Sequence, residues 1–122
     1  MTCDEIYKVE FELSLDGCTV LSERWTQNDD LSCVGRPAYI EKDRRSGKLQ
    51  ALSWWMHGNM HRADGPANIL FHEDGISPHR VEWRLHGKLH RRGGPAIVTF
   101  DSEGIATDEE WWAEGHRLSE AK

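Results

Sequence analysis

The residues of this chain best suited to chemistry are histidines that recur at a fixed spacing. His57 and His61 form one HxxxH pair, and His86 and His90 form a second pair 29 residues later. On a helix this spacing would bring two imidazoles together as metal ligands, but a glycine inside each pair favours a turn. We therefore expect neither a metal site nor a cofactor, and interpret these histidines as structural turn residues.

An arginine follows the second histidine of each pair. We expect His61 and His90 to bond loop carbonyls, and Arg62 and Arg91 to pair with neighbouring acids or cap the next loop. A catalytic group is needed once, whereas a structural contact is needed in every copy of a repeat. The sequence also contains no GxGxxG, Walker, GxSxG or HExxH motif. These observations predict a protein that is not an enzyme and has no catalytic residues.

The histidines belong to a longer repeated motif, WxxxGxxHRxxGPA, which occupies residues 54–67 and 83–96. A degenerate copy begins at Trp25, with Ser32 and Cys33 in place of His-Arg, and a truncated copy begins at Trp111. Internal repetition at a fixed period indicates stacked structural units. We predict a single β-repeat domain over residues 1–122, whose units are 1–36 (degenerate), 37–65 and 66–94 (central) and 95–122 (truncated).

Apolar and polar residues alternate between the turn signals, as Val9 and Phe11 do with Lys8, Glu10 and Glu12. Period-two alternation is typical of strands with one buried face. The sequence thus predicts a mainly β protein, an antiparallel meander of about eight strands with two strands in each unit. An elongated twisted sheet is favoured by the repeat pattern, and an up-and-down barrel is the alternative.

Four tryptophans occupy corresponding positions of the repeat and are predicted to form a lane across the sheet. They are Trp25, Trp54, Trp83 and Trp111. An apolar face of this size must be covered, either by closure of the sheet, by a second copy in a homodimer, or by a partner.

The 122 residues carry a net charge of −6 that is unevenly distributed. Both ends of the chain are acidic, and residues 31–98 carry more bases than acids. No apolar run approaches the roughly 18 residues of a membrane helix, and the first residues lack the features of a signal peptide. Three cysteines without CxxC spacing favour reduced thiols. We expect a cytoplasmic protein, in the host cytoplasm if a phage encodes it, with no membrane partner.

The repeated aromatic residue, glycine and turn resemble MORN-like β-hairpin repeats, including bacterial variants described as antitoxin components. The WxxxGxxHRxxGPA form is similar to repeats of phages and large viruses. It departs from the common MORN pattern because its unit is longer, Trp replaces Tyr, and the HR and GPA elements are additional. The resemblance implies a β-hairpin array that serves as a binding scaffold, and it transfers no catalytic residue.

The acidic ends suggest a function as a small phage-type or antitoxin-type inhibitor. Their carboxylates would engage the basic surface of a bacterial defence or toxin protein, in the manner of nucleic-acid mimicry. The candidate partner-binding residues are Glu10, Glu12, Asp16, Asp29, Asp30, Asp101, Glu103, Asp108, Glu109 and Glu110. The same charges would also keep terminal strands soluble. Nucleic-acid binding by the basic central repeats and structural self-assembly are the alternative functions.

Overall fold

The computed structural model describes residues 7–118, and all regular elements there are strands. The strands are β1 Lys8–Leu13, β2 Val20–Gln27, β3 Asp30–Leu31, β4 Tyr39–Lys42, β5 Leu49–Ser53, β6 Trp55–Met56, β7 Asn59–Met60, β8 Asn68–Phe71, β9 Pro78–Glu82, β10 Arg84–Leu85, β11 Lys88–Leu89, β12 Ile97–Phe100, β13 Ala106–Glu110, β14 Trp112–Ala113 and β15 His116–Arg117. The described part of the chain contains no helix capable of crossing a membrane. Residues 1–6 and 119–122 of the predicted terminal units lie outside the described residues.

The main sheet is an antiparallel meander in the order β1-β2-β4-β5-β8-β9-β12-β13, and β3 pairs with β2 beside this path. The sheet is open, so β1 and β13 are its two edges. The predicted meander of about eight strands is confirmed. The sheet does not close into a barrel, so of the two predicted arrangements the open sheet is correct.

Apolar residues meet across the strands on one face of the sheet. Ile40 lies opposite Leu52, Leu52 opposite Ile69, and Ile69 opposite Val81. This register places Trp54 and Trp83, which lie two residues beyond Leu52 and Val81, on the same face. The backbone N–H group of each of the first three tryptophans donates to the carbonyl of the alanine that directly precedes the next strand of the sheet. These alanines, Ala38, Ala67 and Ala96, have no exposed surface, so small residues separate the large rings.

The tight turns of the main sheet are held by aspartate side chains. Asp74 accepts hydrogen bonds from the backbone N–H groups of Ile76 (2.8 Å) and Ser77 (2.9 Å) and from the Ser77 hydroxyl (2.6 Å). These hydrogen bonds, the Ser77 hydroxyl first, lower the pKa of Asp74 to about 2. Gly75 follows with a φ of 73°, a conformation that glycine adopts without strain.

Each of the last three repeats also contains a short hairpin that the sequence pattern did not predict. The pairs β6-β7, β10-β11 and β14-β15 begin directly after Trp54, Trp83 and Trp111. Their turns place two successive residues at positive φ, as in His57 (51°) and Gly58 (85°), which is typical of a type I′ turn. The Gly58 N–H donates to Leu31 of the preceding unit (2.9 Å), and Gly87 and Gly115 repeat this contact. A second ladder of hydrogen bonds therefore runs beside the main sheet.

Candidate functional site

In each of the two central repeats, an arginine covers the repeated tryptophan. The Arg62 guanidinium lies 3.9 Å from the centre of the Trp54 ring, and Arg91 lies 4.0 Å from that of Trp83. Each guanidinium also donates to the carbonyl of the following proline, at 3.1 Å in both repeats. We call this arrangement the Arg–Trp stack. The stack keeps each arginine side chain within its own repeat, whereas we expected it to contact the next loop or an acid. Among residues 7–118, the one expected contact that forms is the ion pair of Arg62 with Asp64 (3.1 Å).

The glycine of the GPA element makes room for the stack. A Cβ at Gly65 would lie 2.7 Å from the Cζ atom of Arg62, and a Cβ at Gly94 would lie 2.8 Å from that of Arg91. Neither contact is compatible with a methyl group. The motif therefore pairs a glycine with an arginine three residues earlier.

The degenerate first repeat builds the same stack from a different position. Arg36 stands where the central repeats have glycine, and its guanidinium lies 4.4 Å from the centre of the Trp25 ring. The arginine position is taken by Cys33, which is buried, and burial raises the pKa of its thiol. Arg36 also forms an ion pair with Glu23, which accepts a hydrogen bond from the Trp25 indole. Sequence reasoning missed Arg36 because it followed only the aligned His-Arg position.

The repeated histidines link one unit to the next through backbone N–H groups. Nδ1 of His61 accepts from the N–H of His86 (2.9 Å), and Nδ1 of His90 accepts from the N–H of Glu114 (3.0 Å). In the first unit, the hydroxyl of Ser32 takes this place and accepts from His57 (3.2 Å). We expected these histidines to bond loop carbonyls, but they instead accept hydrogen bonds from backbone N–H groups of the next unit.

The environment of His61 favours its neutral form. Burial lowers the pKa of His61, and the neighbouring His86 ring, 4.5 Å away between ring centres, adds to this effect. Within residues 7–118, no three or more His, Cys, Asp or Glu side chains are grouped to hold a metal ion.

Three of the five candidate carboxylates at the N-terminal end are engaged within the chain. Glu10 lies 3.6 Å from the Lys8 ammonium, and Glu12 forms an ion pair with Arg44 on the β4–β5 turn. The hydrogen bond from Arg44 lowers the pKa of Glu12. Asp16 accepts from the Ser14 hydroxyl and the Cys18 N–H (3.0 Å), which lower its pKa. Asp29 and Asp30 lie exposed where the chain turns from β2 into β3.

The carboxylates at the C-terminal end divide into structural and free groups. Asp101 accepts from the N–H groups of Glu103 (2.9 Å) and Ile105 (3.0 Å), and Glu110 accepts from the Trp112 indole (3.0 Å). Other candidates here, Glu103, Asp108 and Glu109, are exposed, and their carboxylates make no hydrogen bond or ion pair within residues 7–118. We define the C-terminal edge as the turn 101–105 with β13, and the N-terminal edge as β1.

The structure therefore does not gather the ten candidate residues into one site. It places them at opposite edges of the sheet and at the turns. The two edges differ, because β1 has ion-paired carboxylates, whereas those of Asp108 and Glu109 on β13 have no partner among residues 7–118. Four of the five residues of β13, Ala106 to Glu109, are exposed.

The basic middle of the chain is partly neutralised by its own acids. Glu82 bridges Arg80 and Arg84 at 3.1 Å each, and Arg44 and Arg62 pair with Glu12 and Asp64. The described basic residues of the middle segment that make no ion pair within residues 7–118 are Lys42, Arg45, Lys48, Lys88, Arg91 and Arg92. Of these, Arg91 is held in the stack on Trp83.

Comparison of the chain with protein-family models, curated proteins and solved structures gives no match. The candidate site is therefore defined by its own residues. Its centre is the C-terminal edge, where an open strand and free carboxylates coincide.

Proposed function

We propose that this protein is a non-enzymatic binding protein whose C-terminal edge occupies a basic surface of another protein. The free carboxylates of Asp108 and Glu109 on the open strand β13 carry this proposal. Occlusion of a surface that a bacterial toxin or defence protein needs for its activity would make the protein an inhibitor acting in the bacterial cytoplasm. A MORN-like array would serve as the scaffold that holds this edge rigid.

Two features of the edge favour a protein partner. Unpaired N–H and C=O groups on an edge strand are suited to contact with another polypeptide. Free surface charges steer encounter with an oppositely charged partner and fix its orientation. The N-terminal edge offers less, because Glu10 and Glu12 are already paired with Lys8 and Arg44.

The alternative functions have less support. Nucleic-acid binding needs available cations, and five arginines of the basic middle are paired with acids. Stacking platforms for bases need open rings, but arginines lie over Trp25, Trp54 and Trp83. Self-assembly by joining the β13 edges of two copies would bring their exposed carboxylates together, which is unfavourable. Dimerisation through the Trp face remains an alternative that a mass measurement in solution decides.

The test uses two variants that change the same number of charges at opposite edges. Asp108→Asn/Glu109→Gln neutralises the C-terminal edge, and Glu10→Gln/Glu12→Gln neutralises the N-terminal edge. Each tagged protein is used to capture partners from a bacterial lysate at about 50 and 500 mM salt. These concentrations correspond to weak and strong screening of surface charge.

We expect the unmodified protein to capture a stoichiometric protein partner at low salt and much less at high salt. The C-terminal variant loses the partner, whereas the N-terminal variant retains it. Recovery of nucleic acid instead of protein would support the nucleic-acid alternative. Absence of a stoichiometric partner, or equal losses in both variants, would overturn the proposal.

A further inference from the structure

The first repeat shows how this protein holds a guanidinium group against a tryptophan and a carboxylate together. Glu23 lies two residues before Trp25, so both side chains project from the same face of β2. Arg36 stacks on the Trp25 ring and forms its ion pair with Glu23. The two groups bind different parts of the guanidinium. The Trp25 ring contacts its flat face, and the Glu23 carboxylate accepts hydrogen bonds from its N–H groups.

The last repeat presents the same pair of side chains at the C-terminal edge. Glu109 lies two residues before Trp111. It is paired opposite Val98 of the preceding strand, as Glu23 is paired opposite Phe11 of its preceding strand, so it has the same place in the register. The central repeats differ, because they have Leu52 and Val81 at this position. Only the first and last repeats thus combine the ring with a carboxylate.

At the positions that supply the stacking arginine in the other repeats, the last repeat has no arginine to cover Trp111 and Glu109. The stacking arginine lies eight residues after the tryptophan in the central repeats and eleven residues after it in the first. Here those positions are Ser119 and Lys122, which lie outside the described residues. Within residues 7–118, no guanidinium lies over Trp111.

We propose that Trp111 and Glu109 bind an arginine side chain of the partner protein, completing an Arg–Trp stack between the two molecules. This inference rests on the proposed function, and it specifies the chemistry of the partner's contact. Arginine suits the pair better than lysine, because its planar fork stacks on the indole while donating two hydrogen bonds to a carboxylate. Free carboxylates at Asp108 and Glu103 add attraction for a positively charged segment around that arginine.

The inference is tested without the natural partner, with N-acetyl-arginine-N-methylamide as the probe. The indole N–H signals of the 15N-labelled protein are assigned and followed by NMR as the probe is added. We expect the Trp111 signal to move saturably, with a dissociation constant on the order of 1–10 mM, typical of one stacked ion pair. The Trp83 signal stays in place, because Arg91 already covers that ring.

Three comparisons identify the interactions responsible. Glu109→Gln weakens probe binding by about tenfold, since a charge-assisted hydrogen bond is lost. The corresponding lysine derivative binds several-fold more weakly than the arginine probe. Arg36→Ala serves as the matched positive control, because it removes the chain's own guanidinium from Trp25 and Glu23. In that variant the Trp25 signal becomes responsive, as Trp111 is in the unmodified protein.

The proposal is overturned if the Trp111 signal does not respond, whether or not Trp25 responds in the Arg36→Ala variant. It is also overturned if Trp111 responds only after Lys122→Ala, since the chain's own lysine would then occupy the ring. Equal binding of the arginine and lysine probes contradicts a stacked guanidinium. A silent Trp111 together with partner capture by the C-terminal edge would reject this inference and leave the proposed function standing.

Discussion

Replacing Gly65 by alanine tests the Arg–Trp stack through its effect on stability. The new Cβ would lie 2.7 Å from Cζ and 2.9 Å from Nε of Arg62. The guanidinium must therefore leave its place 3.9 Å above the Trp54 ring and give up its hydrogen bond to the Pro66 carbonyl. Gly65 does not adopt positive φ, so the alanine backbone itself is not strained.

The expected loss follows from these contacts. A partly buried cation–π contact contributes about 0.5–2 kcal/mol, and a hydrogen bond contributes about 0.5–1.5 kcal/mol. The pair with Asp64 adds little, because that carboxylate is 88% exposed. Alanine gains about 0.4–1 kcal/mol by restricting the unfolded chain. We expect Gly65→Ala to lower the free energy of unfolding by about 1–2 kcal/mol.

Urea unfolding followed by circular dichroism measures this loss in a double-mutant cycle with Arg62→Ala. Once the guanidinium is removed, the Cβ at position 65 meets no obstacle, and Gly65→Ala becomes neutral or slightly stabilising. The coupling energy between the two sites should be at least about 1 kcal/mol. Gly94 and Arg91 provide a replicate in the next repeat. An equal cost of Gly65→Ala with and without Arg62 would refute the reasoning.

Three further predictions concern the other repeated contacts. The double exchange Arg62→Cys/Gly65→Arg, which copies the first repeat, should keep most of the stability that Arg62→Cys alone loses; equal losses would contradict it. Because the pKa of His61 is lowered by burial and by His86, the unfolded chain binds more protons, and stability falls as pH drops below about 6.5. His61→Ser should reduce this fall in pH-dependent thermal melts, since a hydroxyl accepts the same N–H without titrating; an unchanged pH profile would argue against it. Asp74 has a pKa of about 2, so its carboxylate stabilises the turn fully at pH values above its ordinary pKa of 3.8, and this contribution is lost as the pH falls through about 2. Asp74→Asn should therefore make the melting temperature depend less on pH between 3.8 and about 2; an unchanged dependence would count against this role.

The main sheet could be predicted because its signal is local. Strands such as Lys8–Leu13 alternate between apolar and polar residues, and the 29-residue period aligns the strands. The short hairpins could not be predicted in this way. Strands of two residues, such as Trp55–Met56, are too short to show alternation, and the positive φ of His57 is uncommon for a residue with a side chain.

The candidate site was only partly predictable, since its charges depend on contacts between distant residues. Glu12 is neutralised by Arg44, 32 residues away in the chain. No count of charges along a segment shows this pairing, whereas the free carboxylates of β13 are visible once the strands are placed. Arg36 was missed for a related reason. Two different positions of the repeat bring a guanidinium to the same ring, and only their three-dimensional placement shows the equivalence.

Hydrogen exchange at the sheet edges, measured on the protein with and without its captured partner, tests most directly whether the C-terminal edge makes the contact. Peptides that cover β13, Ala106–Glu110, should exchange more slowly in the complex, while those covering β1, Lys8–Leu13, should be unchanged. Protection of β1 instead, or no change at β13 in a stable complex, would contradict binding through the C-terminal edge.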